Sequence, residues 1–187
     1  MAYDNKLLID TDIFKDPVSI NVGSSLLLTP IYHTLLDNEA ALYVLNSNND
    51  DLKKHLPLLH ADNKEKAKKI LLDLLGRTVF KQSILLCIRL REQKFPIGYI
   101  HFNTPLAPTG FDDWTVDFWL GPPMQGKGIM TTALVHALLY LQKYKAPGVR
   151  ALVDKDNIKS IKVMEKVGFG FQEEELTRKR YVYSVGL

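Results

Sequence analysis

The run Gly-Pro-Pro-Met-Gln-Gly-Lys-Gly-Ile-Met at 121–130 has the residue types that hold a phosphate. Glycines let a chain turn tightly and bring successive N–H groups up to an anion. The start of a following helix adds unpaired donors and about half a positive charge. Two registers compete for this stretch. Gly121, Gly126 and Lys127 fit the nucleotide-binding pattern G-x-x-x-x-G-K-[ST] up to its last position, where Gly128 replaces the hydroxyl that would ligate magnesium. Pro122 and Pro123 also remove two donors from that loop, so a metal-nucleotide site ranks second.

Other residues have the types for proton transfer. Asp117 interrupts the apolar run Val116-Asp-Phe-Trp-Leu, where a charge is costly unless it is paired or used. Apolar surroundings move a carboxyl toward the range of a working base, acting directly or through water. His101 and Asn103, sharing a strand face with Tyr99, are its rivals. The plain structural readings are a hydrogen-bonded carboxylate and a hydrogen-bonded strand histidine.

In the second register, Gln125-x-x-Gly128-x-Met130 resembles the Q/R-x-x-G-x-G/A signature of the GNAT acetyltransferase superfamily, with Met130 in place of the usual small residue. The following Gly-Ile-Met-Thr resembles the branch that acetylates the N-termini of ribosomal proteins (RimJ/RimL-type). A second motif of that superfamily is matched over 153–169 through Asn157, Ser160, Glu165, Lys166, Gly168 and Phe169. The resemblance spans about 25–187 and is strongest over 118–169.

It implies an N-acetyltransferase in which an amine attacks acetyl-CoA directly, with no metal. The acceptor would be a peptide or protein N-terminus or a small amine. It implies cofactor contacts from Trp119, Leu120, Gln125, Gly126, Lys127, Gly128, Ile129, Met130, Thr131 and Asn157, and acceptor contacts from Asn103 and His101. Such transfer needs an unprotonated amine, donors to the carbonyl oxygen as it gains charge, and a proton for the departing thiolate. Asp117 is the base candidate, and main-chain amides near Trp119 and Leu120 are the donors to oxygen. The tyrosine that commonly protonates the thiolate is replaced by Met164, so Ser160 is the substitute, with Tyr181 and Tyr183 as further donors. Asn157 and Ser160 also read simply as an N-cap and a third helical residue. Without that tyrosine, an acetyl-CoA sensor that never turns over is the alternative.

These residues need a scaffold. The chain of 187 residues, 46% hydrophobic and 24% charged, suits a single domain over 1–187. It shows neither an export signal nor an apolar run long enough to span a bilayer, so the cytoplasm is expected, with monomer and homodimer both open. Cys87, the only cysteine, sits in Ser-Ile-Leu-Leu-Cys-Ile and reads as a buried strand residue. Residues 1–60 carry net −4 and 61–187 net +7. Lys127, Lys143, Lys145, Arg150, Lys155, Lys159, Lys162 and Lys166 therefore attract phosphates or are solvated. No aromatics interleave with them as on a nucleic-acid surface.

Periodicity gives alternating strands and helices, a mixed α/β plan. Residues 1–23 are the least readable, and 24–29 form a first strand ending at Pro30. A helix follows with Ala40, Ala41, Val44 and Leu45 on its apolar face, closed by Asn46-Ser-Asn-Asn. A second starts at the capping box Asp62-x-x-Glu65 and ends at Gly76. Strands at 83–90 and 97–102 flank a polar turn around Glu92, and 114–120 adds a third. The glycine loop then enters a helix with the stripe Met130, Ala133, Leu134, Ala137, Leu138 and Leu141. A strand at 149–153, a helix at 157–167 and a pair at 169–174 and 180–185 complete the chain. The resemblance implies a GNAT-like fold: a central, mostly antiparallel sheet with two splayed strands, flanked by helices.

Overall fold

The computed structural model describes residues 11–14, 19–92, 95–108, 111–175 and 180–187. Eight strands form one sheet in the order β1-β2-β3-β4-β5-β6-β8-β7. They are β1 (Ile20–Val22), β2 (Leu26–Thr29), β3 (Ser83–Leu90), β4 (Pro96–Asn103), β5 (Thr115–Leu120), β6 (Gly148–Asp154), β7 (Gly170–Glu175) and β8 (Arg180–Gly186). The helices are α1 (Leu36–Ser47), α2 (Asp50–His55), α3 (Lys64–Val79), α4 (Ile129–Lys143) and α5 (Ile158–Val167). The expected mixed, mostly antiparallel sheet flanked by helices is present.

The central strands β3 and β4 are buried on both faces, which is why they read as nearly unbroken apolar runs. Ile84, Leu86 and Ile88 of β3 face a core with α4 and α5, while Leu85 and Cys87 face a second core with α1 and α3. Tyr43, Tyr99 and Trp119 cluster in that second core with ring centroids 5.0 to 5.9 Å apart, Tyr99 stacked on Trp119 and Tyr43 edge-on to Trp119. Beside them Arg89, fully buried, donates to Glu39 Oε1 at 2.7 Å and to Thr29 Oγ1 at 2.7 Å, and its guanidinium covers the ring of Tyr32. Burial pushes the Glu39 carboxyl up even with Arg89 next to it.

Only β5 and β6 run parallel, and their ladder has one pair, Thr115 with Arg150, where Arg150 N donates to Trp114 O at 2.7 Å. Beyond it the two strands share no further pair, so the sheet splits there.

Several expectations need correction. The first strand starts at Leu26, and β1 precedes it as a hairpin whose turn places Gly23 at φ +59°. Residues 1–10 and 15–18, and 93–94 of the turn after β3, lie outside the described residues. On α1 the buried stripe is Ala40, Tyr43 and Ser47, while Ala41 and Leu45 are exposed. The sheet recruited the aromatic in preference to the aliphatics. The cap of α3 is Asn63, whose side chain accepts from Lys66 N at 2.9 Å, not Asp62, and the helix continues through Gly76. Finally, α2 stands where only a helix ending was expected.

Candidate active site

Strand β5 delivers the chain to the glycine loop at Gly121, whose N–H donates to Ile97 O at 2.9 Å and so stays on the β4 side. Backbone groups alternate along a strand, so Trp119 and Asp117 also direct theirs to β4. Those of Phe118 and Leu120 face the split, as Trp114 O does. The register therefore points the Leu120 and Phe118 amides toward the gap and the Trp119 amide toward β4, which differs from the expected pair of Trp119 and Leu120.

After a 3-10 turn at Pro122–Met124, Gln125 Nε2 donates to Leu120 O at 3.2 Å and its Oε1 accepts from Lys159 Nζ at 3.2 Å. Gly126 and Gly128 adopt φ +74° and +75°, and a Cβ on either would project into open space. Gly128 caps α4 with no side-chain acceptor, so the first amides of that helix are left for a ligand. A cradle of this kind, with no acidic side chain in its loop, fits a pyrophosphate.

The loop forms one wall of a cleft of about 530 Å³, which Phe118, Trp119, Leu120, Gln125, Gly126, Gly128, Ile129, Met130, Thr131, Asn157 and Ser160 line. Lys159, Lys162 and Lys166 line it from α5, at helical spacing along one face. Lys127 is exposed and lies outside this lining. Of the other expected cations, Arg150 pairs with Asp113, and Lys155 with Glu174.

A smaller cavity of about 170 Å³ lies on the far side of the split, lined among others by Asn103, Asp117, Asp154 and Arg180. The two spaces share His55, Leu56, Phe118, Asn157 and Ser160. Asp117 is 32% exposed and its Oδ2 accepts from Asn103 Nδ2 at 3.4 Å. His101 stands opposite Asp117 on β4 and is buried: neither ring nitrogen makes a hydrogen bond among the described residues, but Nδ1 lies 3.6 Å from Asp117 Oδ2, and the ring lines neither space. The structure thus brings together Asp117, Asn103 and Ser160 around the cavity and sets His101 behind Asp117, out of the lining.

Asn157 Oδ1 accepts from Ser160 N at 3.2 Å, so the N-cap reading of α5 holds, while Ser160 itself still lines both spaces. Met164 is fully buried in the core, and Tyr181 and Tyr183 pack against Phe171 away from both spaces.

What the sequence reading missed is α2. Asn49 does not close α1. Its side chain accepts from Leu52 N at 2.9 Å and opens a new helix, which ends at His55. An Asn followed by two Asp residues is an N-terminal signal that was open to reading. His55 Nδ1 lies 2.7 Å from Asp154 Oδ2, and Asp154 Oδ1 accepts from Arg180 Nε at 2.8 Å. His55, Asp154 and Asp156 are metal-binding types within 4.8 Å of one another. Arg180 and Lys54 already balance the two carboxylates, however, which suits orienting an imidazole better than capturing a cation.

The split strands, the uncapped glycine loop and the basic helix beside it together make a cleft suited to a ligand that carries phosphates. The family described as "Acetyltransferase (GNAT) domain" matches residues 25–170, and the chain belongs to it. The expected enzyme class and acetyl-CoA as acetyl donor therefore stand. No curated protein sequence matches the chain.

Among solved structures, RimL, a ribosomal L7/L12 alpha-N-protein acetyltransferase in complex with coenzyme A, is 17% identical, with a TM-score of 0.75 over 91% of this chain and 98% of that one. The microcin C7 self-immunity acetyltransferase MccE, in complex with acetyl-CoA and AMP, is 19% identical, with a TM-score of 0.72 over 94% and 100%. A ribosomal-protein-S5-alanine acetyltransferase from Vibrio fischeri is 20% identical, with a TM-score of 0.71 over 90% and 96%. At these identities the likeness is one of fold. No helix among the described residues is long and apolar enough to cross a membrane.

Proposed function

We propose that the protein is a single-domain, cytoplasmic N-acetyltransferase, monomeric or homodimeric, that acts on a primary amine at a peptide or protein N-terminus or on a small amine. The observation that carries this reading is the split between β5 and β6, which joins the loop-lined cleft to a second cavity carrying a carboxylate and an amide. A structural relative named as a ribosomal L7/L12 alpha-N-protein acetyltransferase supports the N-terminus as acceptor class.

Amides of residues 126–131 hold the pyrophosphate of acetyl-CoA, with Lys127 and the lysines of α5 adding charge. The co-substrate, once bound, supplies an acetyl group activated as a thioester. The amides of Phe118 and Leu120 face the gap and bind a carbonyl oxygen there. Asp117 and Asn103 receive the ammonium of the acceptor. Ser160, at the junction, gives a proton to the leaving sulfur.

The burial of Met164 favours a second reading, a sensor that binds acetyl-CoA without turnover. Thermal shift with acetyl-CoA against ATP and magnesium tests binding, because only a ligand of the folded form raises the melting temperature. Thiol release with a panel of N-terminal peptides and small amines then separates the two readings. A shift without thiol release on any acceptor makes the protein a sensor, and no shift with acetyl-CoA refutes both.

A further inference from the structure

His55 stands where the cleft meets the second cavity, and the roles assigned above leave it unused. It closes α2 with its side chain 13% exposed and lines both spaces. A carboxylate on Nδ1 fixes the neutral ring with its proton on that nitrogen and the lone pair on Nε2. Asp154 provides that carboxylate at 2.7 Å and is itself held by Arg180. Among the described residues nothing hydrogen-bonds Nε2. Of the other charged groups near the ring, Asp51 pairs with Lys159 and Lys54 with Asp156, while Lys162 and Lys166 line the same cleft from α5. Asp117 lines the smaller cavity with it, and His101 Nδ1 lies 3.6 Å from Asp117 Oδ2 outside that lining.

We propose that His55 is the base that takes the proton of the acceptor ammonium, with Asp154 as its positioning residue and Asp117 as the anchor of that ammonium. This rests on the acetyl-transfer reading above. An imidazole exchanges protons near neutrality, whereas a carboxylate ordinarily does so well below it.

The step balances. The ammonium gives one proton to Nε2, leaving a neutral amine and an imidazolium. The amine lone pair forms the bond to the acetyl carbon as the carbon–sulfur bond breaks, and that pair stays on sulfur. Ser160 gives its proton to the sulfur and takes the second proton from the new amide nitrogen. The imidazolium then releases its proton to solvent. An ammonium and a thioester become an amide, a thiol and one proton.

Heteronuclear NMR on protein with isotope-labelled histidine reads which ring nitrogen is protonated, whether or not an acceptor turns over. The expected neutral ring carries its proton on Nδ1 and changes tautomer in Asp154→Asn. A wild-type ring protonated on Nε2 overturns the proposal.

His55→Asn keeps a donor to Asp154. With an N-terminal serine or alanine peptide its kcat is expected to fall about a hundredfold, with acetyl-CoA affinity unchanged. With trifluoroethylamine, which is largely unprotonated at neutral pH, the loss is expected to shrink to a few-fold. Equal loss with both acceptors, or none with either, overturns the proposal. Calorimetry separates the failures: a wild-type protein that binds no acetyl-CoA sinks the acetyl-transfer reading, while normal binding and turnover with an indifferent His55→Asn sinks only this one.

Discussion

Gly121 lies against Asn46 so closely that a Cβ on the glycine would stand 2.3 Å from Asn46 Oδ1. Asn46 is not free to move, because its Nδ2 donates to Leu42 O at 3.0 Å and to Pro96 O at 2.8 Å. The end of α1 thereby sets where the phosphate loop begins. Gly121→Ala is expected to cost about 1–3 kcal/mol of stability and to weaken acetyl-CoA binding. Adding Asn46→Ala removes the obstruction and recovers part of both. Chemical denaturation and calorimetry check this, and a single variant with wild-type values refutes the contact.

Gly128 is constrained by conformation and not by space. A side chain there meets nothing within 4 Å but must adopt φ +75°, which costs about 1–2 kcal/mol. Gly128→Ala is therefore expected to retain the fold and bind acetyl-CoA about tenfold more weakly. Gly76, also in open space but inside α3 and not at positive φ, is the control: Gly76→Ala is expected to stabilise by about 0.5–1 kcal/mol and leave binding unchanged.

Asn157 and Ser160 separate structure from chemistry within one turn. Asn157→Ala removes the cap of α5 and is expected to cost about 1 kcal/mol. Ser160→Ala keeps the capped amide, so thiol release is expected to fall at least tenfold with the melting temperature unchanged. If Ser160→Ala lowers only stability, its hydroxyl has no part in proton transfer.

Burial pushes the Cys87 thiol up to about 12 from an ordinary 9.0. The folded value lies above the unfolded one, so this contribution to stability is intact below pH 9.0 and is lost as pH rises toward about 12. Burial pushes Tyr43 and Tyr99 up as well, adding to the same alkaline limb. Native protein at pH near 8 is expected to resist a thiol-alkylating reagent that labels the unfolded chain quickly. Cys87→Ala is expected to flatten the alkaline fall measured by denaturant titration.

Arg89→Met leaves Glu39 buried without its cation and is expected to cost about 3–5 kcal/mol at neutral pH. Because burial holds the folded Glu39 carboxyl above its unfolded value, the protonated form is the one the fold favours. The deficit of Arg89→Met should therefore shrink on acidification, as Glu39 takes up a proton. A deficit independent of pH points to lost packing against Tyr32 instead.

The order of strands, loop and helices was legible because long elements repeat their apolar residues. The α4 stripe from Met130 to Leu141 is buried as read, as is Cys87. The three residues of β1 and six of α2 are too short for periodicity to show. On α1, Leu45 fits a helical stripe but the sheet packs against Tyr43, a choice made by tertiary contact. Loop residues carried a local signal through glycine chemistry, and two of those glycines adopt positive φ. His55, Asp154 and Arg180 carry none, being 99 and 26 residues apart along the chain and meeting only in space.

The short helix α2 is moored to the last third of the chain by His55 to Asp154, Lys54 to Asp156 and Asp51 to Lys159, spanning 99, 102 and 108 residues. Contacts that distant are won late, after the entropy of a very long loop has been spent. A nascent or truncated chain that stops before β6 would own the glycine loop yet leave α2 without its moorings. Acetyl-CoA would then act as an inspector of finished molecules, adding stability only to copies whose two ends have met.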